Sequence, residues 1–306
     1  MKINISNLKN RFYFFYNKNQ TIGDIMGYFL PKKYKELHNL CFYLHDILVQ
    51  VVVEGEKKKL FDTVVKFEKS GDVETIKDNN DILEWLITNG YENEFKSIVI
   101  KQVLIATISD YCHYVYEALR CSEKSKLAIT YTLLRKPLKD NLLLFEWIMT
   151  NRNEFLENFQ KDSNCYAIDK IDSTKKKIFI ECSVNQINYC ETFDADFIYN
   201  IRYSKKTDYS LERVWNIANH IVTTSKYYKT ESLNLNFVFS GADSKESQWN
   251  YLYSVLPYLL FYTVEVIQVI LDREIGENKL DILFETFEER AKKFEKTVPR
   301  NLYKRI

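Results

Sequence analysis

Glycine and proline are scarce. The 306 residues hold 7 Gly and 4 Pro, roughly a third of what usual usage of about 7% and 5% gives. A barrel or sandwich of many short strands needs more turn chemistry than this. No GxGxxG and no GxxxxGK[ST] occurs, so nothing offers the clustered glycines that bring backbone close to a phosphate. An excess of one charge is absent too. The formal net charge is +1, from 43 basic and 42 acidic residues, which excludes a global basic field for nucleic acid and an acidic tail. Local basic runs remain at Lys175, Lys176 and Lys177, placed in one loop, and at Lys292, Lys293, Lys296, Arg300, Lys304 and Arg305. Both are expected to be solvated surface.

Metal-type cysteine spacing is also missing. The six cysteines include no CxxC and no Cys/His pattern typical of zinc, so they are expected to pack as small reduced side chains. The start, MKINISNLKN, has no apolar signal core. Together these point to a cytoplasmic protein with no cofactor and no metal. One apolar stretch, residues 249–271, is long enough to cross a membrane. It carries Pro257, Glu265 and Gln268, and a lipid-facing Glu is costly, so it is expected to be a buried core helix. No membrane partner is expected.

What the chain does have is helical periodicity. Hydrophobic residues make up 46% and charged residues 28%, enough for a sizeable core. The 22 Tyr and 20 Phe, with abundant Lys, Asn and Ile, match the codon bias of an AT-rich genome. Leu37, Leu40, Cys41, Leu44, Ile47, Leu48 and Val51 recur at three and four, predicting a helix over 32–53. A short helix is expected in KKKLFDTVVKFEKS, closed by Gly71, and another in NDILEWLITNG, capped by Asn79 or Asn80 and ended by Gly90. Residues 92–121 and 124–150 are long apolar segments. The second is apolar nearly all round, as in the centre of a bundle, and Pro137 should kink it. Residues 208–225, 247–273 and 277–296 read as further helices.

The expected fold is therefore mainly α: a multi-helix bundle with a four-helix core (92–121, 124–150, 208–225, 247–273) and peripheral helices. Residues 1–90 would be an N-terminal helical region packed on that core. Residues 91–306 would be the bundle, with an irregular insertion at 161–206 holding one or two helices or a short strand at KIFIEC. The first thirty residues stay ambiguous between strand and loop.

Three polar constellations are candidates for chemistry. On a helix over 208–225, Val214, Trp215, Ile217, Ala218, Ile221 and Val222 fall on one side. Glu212, Arg213, Asn216, Asn219 and His220 fall on the other. Arg213 and His220 would lie nearly in line, about 10 Å apart along the axis. Histidine gives or takes a proton near neutrality, arginine holds a phosphate by two parallel bonds, and the two asparagines add substrate-binding donors. Cleavage of RNA by its 2′-hydroxyl needs such a set. The second constellation is His38, Cys41 and His45, with Asp46 beside them, expected to be core or boundary packing. The third is Arg135, Lys139 and Glu146 in the narrow polar strip of the central helix. These are expected to find ion-pair partners elsewhere in the bundle or to line a polar cleft.

Arg213-x6-His220 on an all-helical scaffold resembles the signature of HEPN-type ribonucleases. The resemblance implies a metal-independent endoribonuclease or RNA-binding effector of a toxin–antitoxin or antiviral defence system, often a homodimer. Arg213 would be the phosphate clamp and His220 the acid/base. One position departs from the pattern: Val214 stands where the family usually has a polar residue. The same amphipathic division also accounts for the alignment of Arg213 and His220 without chemistry. Two alternatives therefore stay open: a non-catalytic helical module that binds a partner protein, as an antitoxin or defence-complex subunit, or a small-ligand sensor with an aromatic pocket around Tyr251, Tyr253, Tyr258 and Tyr262.

Overall fold

The computed structural model describes residues 30–67, 71–77, 81–238, 240–276 and 285–298. Within them the chain is mainly α, a multi-helix bundle with no strand. The ambiguous first thirty residues lie almost wholly outside the described part, as do Asn79 and Asn80.

Helix α1 (Lys35–Lys57) buries the stripe Leu40, Cys41, Leu44, Ile47, Leu48 and Val51. It packs against α4 (Glu92–Glu123) and the longest helix, α11 (Ala242–Ile275). Between α1 and α4 lie the short α2 (Asp72–Lys77) and α3 (Ile82–Thr88). Asp81 caps α3 by accepting from the Glu84 amide at 3.0 Å, and Gly90, at φ +92°, takes the left-handed position just past its end. The helix expected in KKKLFDTVVKFEKS is not formed over its described residues. The chain turns after Lys57, with Lys59 at positive φ and the Leu60 amide bonded back to the Gly55 carbonyl.

The segment 124–150 is continuous and interrupted at one place. Helix α5 (Leu127–Arg135) passes through a π-helical turn (Lys136–Asn141) into α6 (Leu142–Thr150). Pro137 has no N–H, so the regular ladder loses a donor there. The Leu142 amide bonds to the Pro137 carbonyl, one residue further than in an α-helix. Side chains from elsewhere complete the loosened backbone: Arg202 Nε donates to the Leu138 carbonyl and the Tyr203 hydroxyl to the Lys139 carbonyl, both at 2.7 Å.

After α7 (Arg152–Lys161) come α8 (Ser173–Gln186) and α9 (Ala195–Tyr203), started by caps from Asp172 and Asp194. KIFIEC is helical. Lys175, Lys176 and Lys177 lie in the first turns of α8 rather than in a loop. Residues 161–206 are also not peripheral. Phe179, Ile180, Val184, Ile198 and Ile201 join the core, and α8 packs on both α6 and α9.

The expected four-helix core needs one exchange. The predicted helix over 208–225 is reduced to α10 (Leu211–Asn219), a nine-residue helix against α5 and α9, and α1 takes the place between α4 and α11. Ser210 starts α10, and the helix stops because Ile221, Val222, Thr223 and Thr224 follow. Such a run of β-branched side chains loses rotamer freedom in a helix. Ile221 and Val222, assigned to the apolar side, are exposed. Glu212, assigned to the polar side, is buried. The last helix, α12 (Phe287–Thr297), begins with a capping box from Thr286 and Glu289.

Helix α11 is long and apolar enough to cross a membrane, and the rest of the fold buries most of that apolar window. Its Glu265 carboxylate receives both Nε and Nη2 of the buried Arg290 of α12 at 2.7 Å. The Glu is thereby neutralised inside the bundle.

Candidate functional site

Two groups of polar residues surround α10, one buried and one exposed. The buried group is a chain of hydrogen bonds. Tyr262 donates to Glu146 at 3.0 Å, and Arg202 pairs with the same carboxylate oxygen at 2.5 Å. Arg202 also donates to the Tyr203 hydroxyl, which donates in turn to the Lys139 carbonyl. Lys139 Nζ then reaches Glu212 of α10 at 2.8 Å, and Asn216 donates to the other oxygen of that carboxylate at 3.3 Å. Glu146 and Arg202 are fully buried. Burial pushes the Glu146 carboxyl up, and the Arg202 guanidinium holds it back. Burial works against the Arg202 charge, and Glu146 outweighs it, raising the guanidinium further. The expectation that Lys139 and Glu146 would find partners elsewhere in the bundle holds, while Arg135 makes no ion pair with a described residue.

The exposed group begins with the residues singled out by sequence. Arg213 pairs with the exposed Asp208 at 2.9 Å, a contact of a kind that contributes little. His220 is not on the helix. Its backbone is extended at φ −128°, ψ 134°, so the alignment with Arg213 along one helix face is lost. The imidazole is exposed and engages no described side chain. Asn216 and Asn219 turn back on their own helix and donate to the Glu212 and Trp215 carbonyls, each at 2.7 Å. Their amides cap the backbone.

Sequence reasoning missed the neighbours of this segment. Lys176 Nζ of α8 lies 5.2 Å from the centre of the Tyr203 ring, and Lys177 Nζ lies 4.9 Å from that of Tyr199. Both rings are on α9, at i and i+4 on one face. Burial, with the Lys139 charge adding to it, lowers the Lys176 ammonium. Lys205 and Lys206 follow in the turn before α10, exposed, with none of the described carboxylates at ion-pair distance. A row of cations and tyrosines thus runs from α8 over α9 to α10. The signal in the sequence was the Tyr199/Tyr203 spacing, visible only once 195–203 is known to be helical.

The other constellations serve packing. His38 Nδ1 meets the Tyr253 hydroxyl at 2.7 Å, and His45 bonds Asp46 and the Cys112 carbonyl. Cys41 is fully buried. Among the described residues no group of three or more His, Cys, Asp or Glu side chains is placed to hold a metal ion. The four tyrosines of the expected aromatic pocket direct their hydroxyls to protein groups. Tyr251 donates to the Tyr209 carbonyl, Tyr253 contacts His38, Tyr258 accepts from the Asp194 amide and Tyr262 donates to Glu146.

No family model, no curated protein and no solved structure matches the chain significantly.

Proposed function

We propose that the protein binds single-stranded RNA on the surface formed by α8, α9 and the start of α10. The observation that carries this reading is the cation–tyrosine row: Lys176 on Tyr203, Lys177 on Tyr199, then Lys205, Lys206 and Arg213. Lys205 and Lys206 have no described carboxylate at ion-pair distance, while Lys177 and Arg213 are paired only with the exposed Asp196 and Asp208. Cations so placed attract phosphates by releasing counterions, and aromatic rings beside them can stack bases whatever their sequence. The near-zero net charge of the chain makes this concentration local.

Fluorescence anisotropy with a labelled uridine oligonucleotide tests the reading. Binding should weaken steeply with salt, and Lys205→Gln/Lys206→Gln should both weaken it and flatten the salt slope. Binding with no salt dependence, or indifferent to both changes, would sink the proposal.

Cleavage of that RNA is the second reading, in line with the HEPN resemblance. What favours it is the accessible imidazole of His220 at the end of the helix that carries Arg213. In buffer with a metal chelator, wild-type protein should cut the RNA. His220→Ala should abolish cutting and leave binding intact. Equal cutting by both proteins would remove His220 from the chemistry.

A further inference from the structure

The loop that follows α10, residues 220–238, is ordered by its own hydrogen bonds. The Thr230 amide bonds the Thr223 carbonyl at 2.9 Å and the Asn236 amide bonds the Ile221 carbonyl at 2.8 Å. Thr223 Oγ1 donates to the Tyr228 carbonyl, Thr230 Oγ1 to Asn236 Oδ1, and Asn236 Nδ2 to the His220 carbonyl. This bracing fixes a surface that is apolar outward. Ile221, Val222 and Val238 are each more than half exposed, and Leu233 is wholly exposed.

Leu233 is the informative residue. Its backbone sits at φ +62°, a region that glycine or asparagine enters at lower cost. Its side chain is wholly exposed and packs on none of the described residues. Neither backbone conformation nor packing therefore explains a leucine here, and an external apolar contact does. Lys226 and Lys229 stand beside the apolar residues, exposed and without a described carboxylate at ion-pair distance. The one acid of the loop is Glu231.

We propose that this loop inserts its aliphatic side chains into an anionic lipid surface, with Lys226 and Lys229 at the headgroups. The side-chain types select this occupant. The energetically dominant residues of protein interfaces under-represent Leu and Val, and such interfaces are depleted in Lys. This loop presents Leu, Ile and Val, with Tyr227 exposed beneath Lys226; aliphatic side chains with lysines and a tyrosine at the water boundary favour apolar insertion next to negative headgroups. A second copy is disfavoured by charge, since a two-fold contact through the loop would gather two lysines and one acid, Glu231, from each copy. Membrane contact through this loop departs from the expectation, drawn from the sequence, that no membrane is involved. It is independent of RNA binding, which uses Lys176, Lys177, Lys205 and Lys206.

Co-sedimentation with two vesicle preparations tests it. The full chain should pellet with phosphatidylcholine vesicles containing phosphatidylglycerol and stay in solution with phosphatidylcholine alone. Lys226→Gln/Lys229→Gln should lower partitioning by about thirtyfold, at roughly fivefold per lysine. Leu233→Gly relaxes the positive φ while removing the side chain. It should fold as well as wild type and partition about tenfold less. Three results would each overturn the proposal: no binding to the anionic vesicles, undiminished binding by Leu233→Gly, or a dimer in sedimentation that Leu233→Gly dissociates.

Discussion

The buried chain from Tyr262 to Glu212 and the exposed groups between Arg213 and Val238 are adjacent at α10 and treat polar groups in opposite ways. In the first, charged and phenolic groups are matched inside the fold, with Arg202 bonded to a carboxylate, a carbonyl and a hydroxyl. In the second, His220, Lys226 and Lys229 face water, and Ile221, Val222, Leu233 and Val238 do too. Buried charge of the first kind makes a structure intolerant of change at those positions. Exposed groups of the second kind contribute little to stability and are available to a ligand.

Mutations should separate the two regions cleanly. The largest effect is expected at the buried pair. Arg202→Met leaves Glu146 charged and unmatched and should cost about 3–5 kcal/mol in urea melts, whereas Arg202→Met/Glu146→Leu should recover most of it. A double variant no better than the single would mean that the arginine is needed for the Leu138 carbonyl of the π turn and not for charge.

Next comes a pH effect. Burial lowers the His38 imidazole from 6.5 to about 4, in spite of the Glu123 carboxylate nearby. Between those values the unfolded chain binds a proton that the folded chain refuses. Stability from this group is complete above pH 6.5 and is lost as pH falls toward 4, by about 3 kcal/mol. Melting curves across that range should show a shallower slope for His38→Gln, and an unchanged slope would contradict the neutral imidazole.

Asp81→Ala removes the cap of α3 and should cost about 1 kcal/mol. The smallest effects are expected in the exposed segment: Arg213→Ala and His220→Ala should each stay within about 0.5 kcal/mol. A loss of several kcal/mol at either position would erase the contrast.

Much of the helical architecture was legible because long helices repeat their pattern many times. Leu40, Cys41, Leu44, Ile47, Leu48 and Val51 mark α1 without ambiguity, and Pro137 announced an irregularity where the π turn lies. The candidate site was harder to read. A wheel drawn over 208–225 assumes that the helix continues, and four β-branched residues ended it at Asn219. Glu212 looked like surface because its partner, Lys139, is seventy-three residues away and inside the π turn. Arg202 carried no pattern at all. Its burial follows from the Leu138 carbonyl, which the loosened turn leaves free to accept, and from the Glu146 carboxylate. The Lys–Tyr contacts escaped for the same reason, since they form between α8 and α9, whose packing no local periodicity encodes.

The π turn also sets the angular phase between α5 and α6. One additional residue in a helical turn rotates everything beyond it by about 100° relative to an uninterrupted helix. Through that offset α5 faces α4 and α10 while α6 faces α8 and α11, so one continuous rod has two differently aimed apolar sides. Deleting a single residue between Lys136 and Asn141 would leave the composition almost untouched. It would also turn Glu146 away from Arg202. The register of the whole second half of the bundle is geared through those six positions.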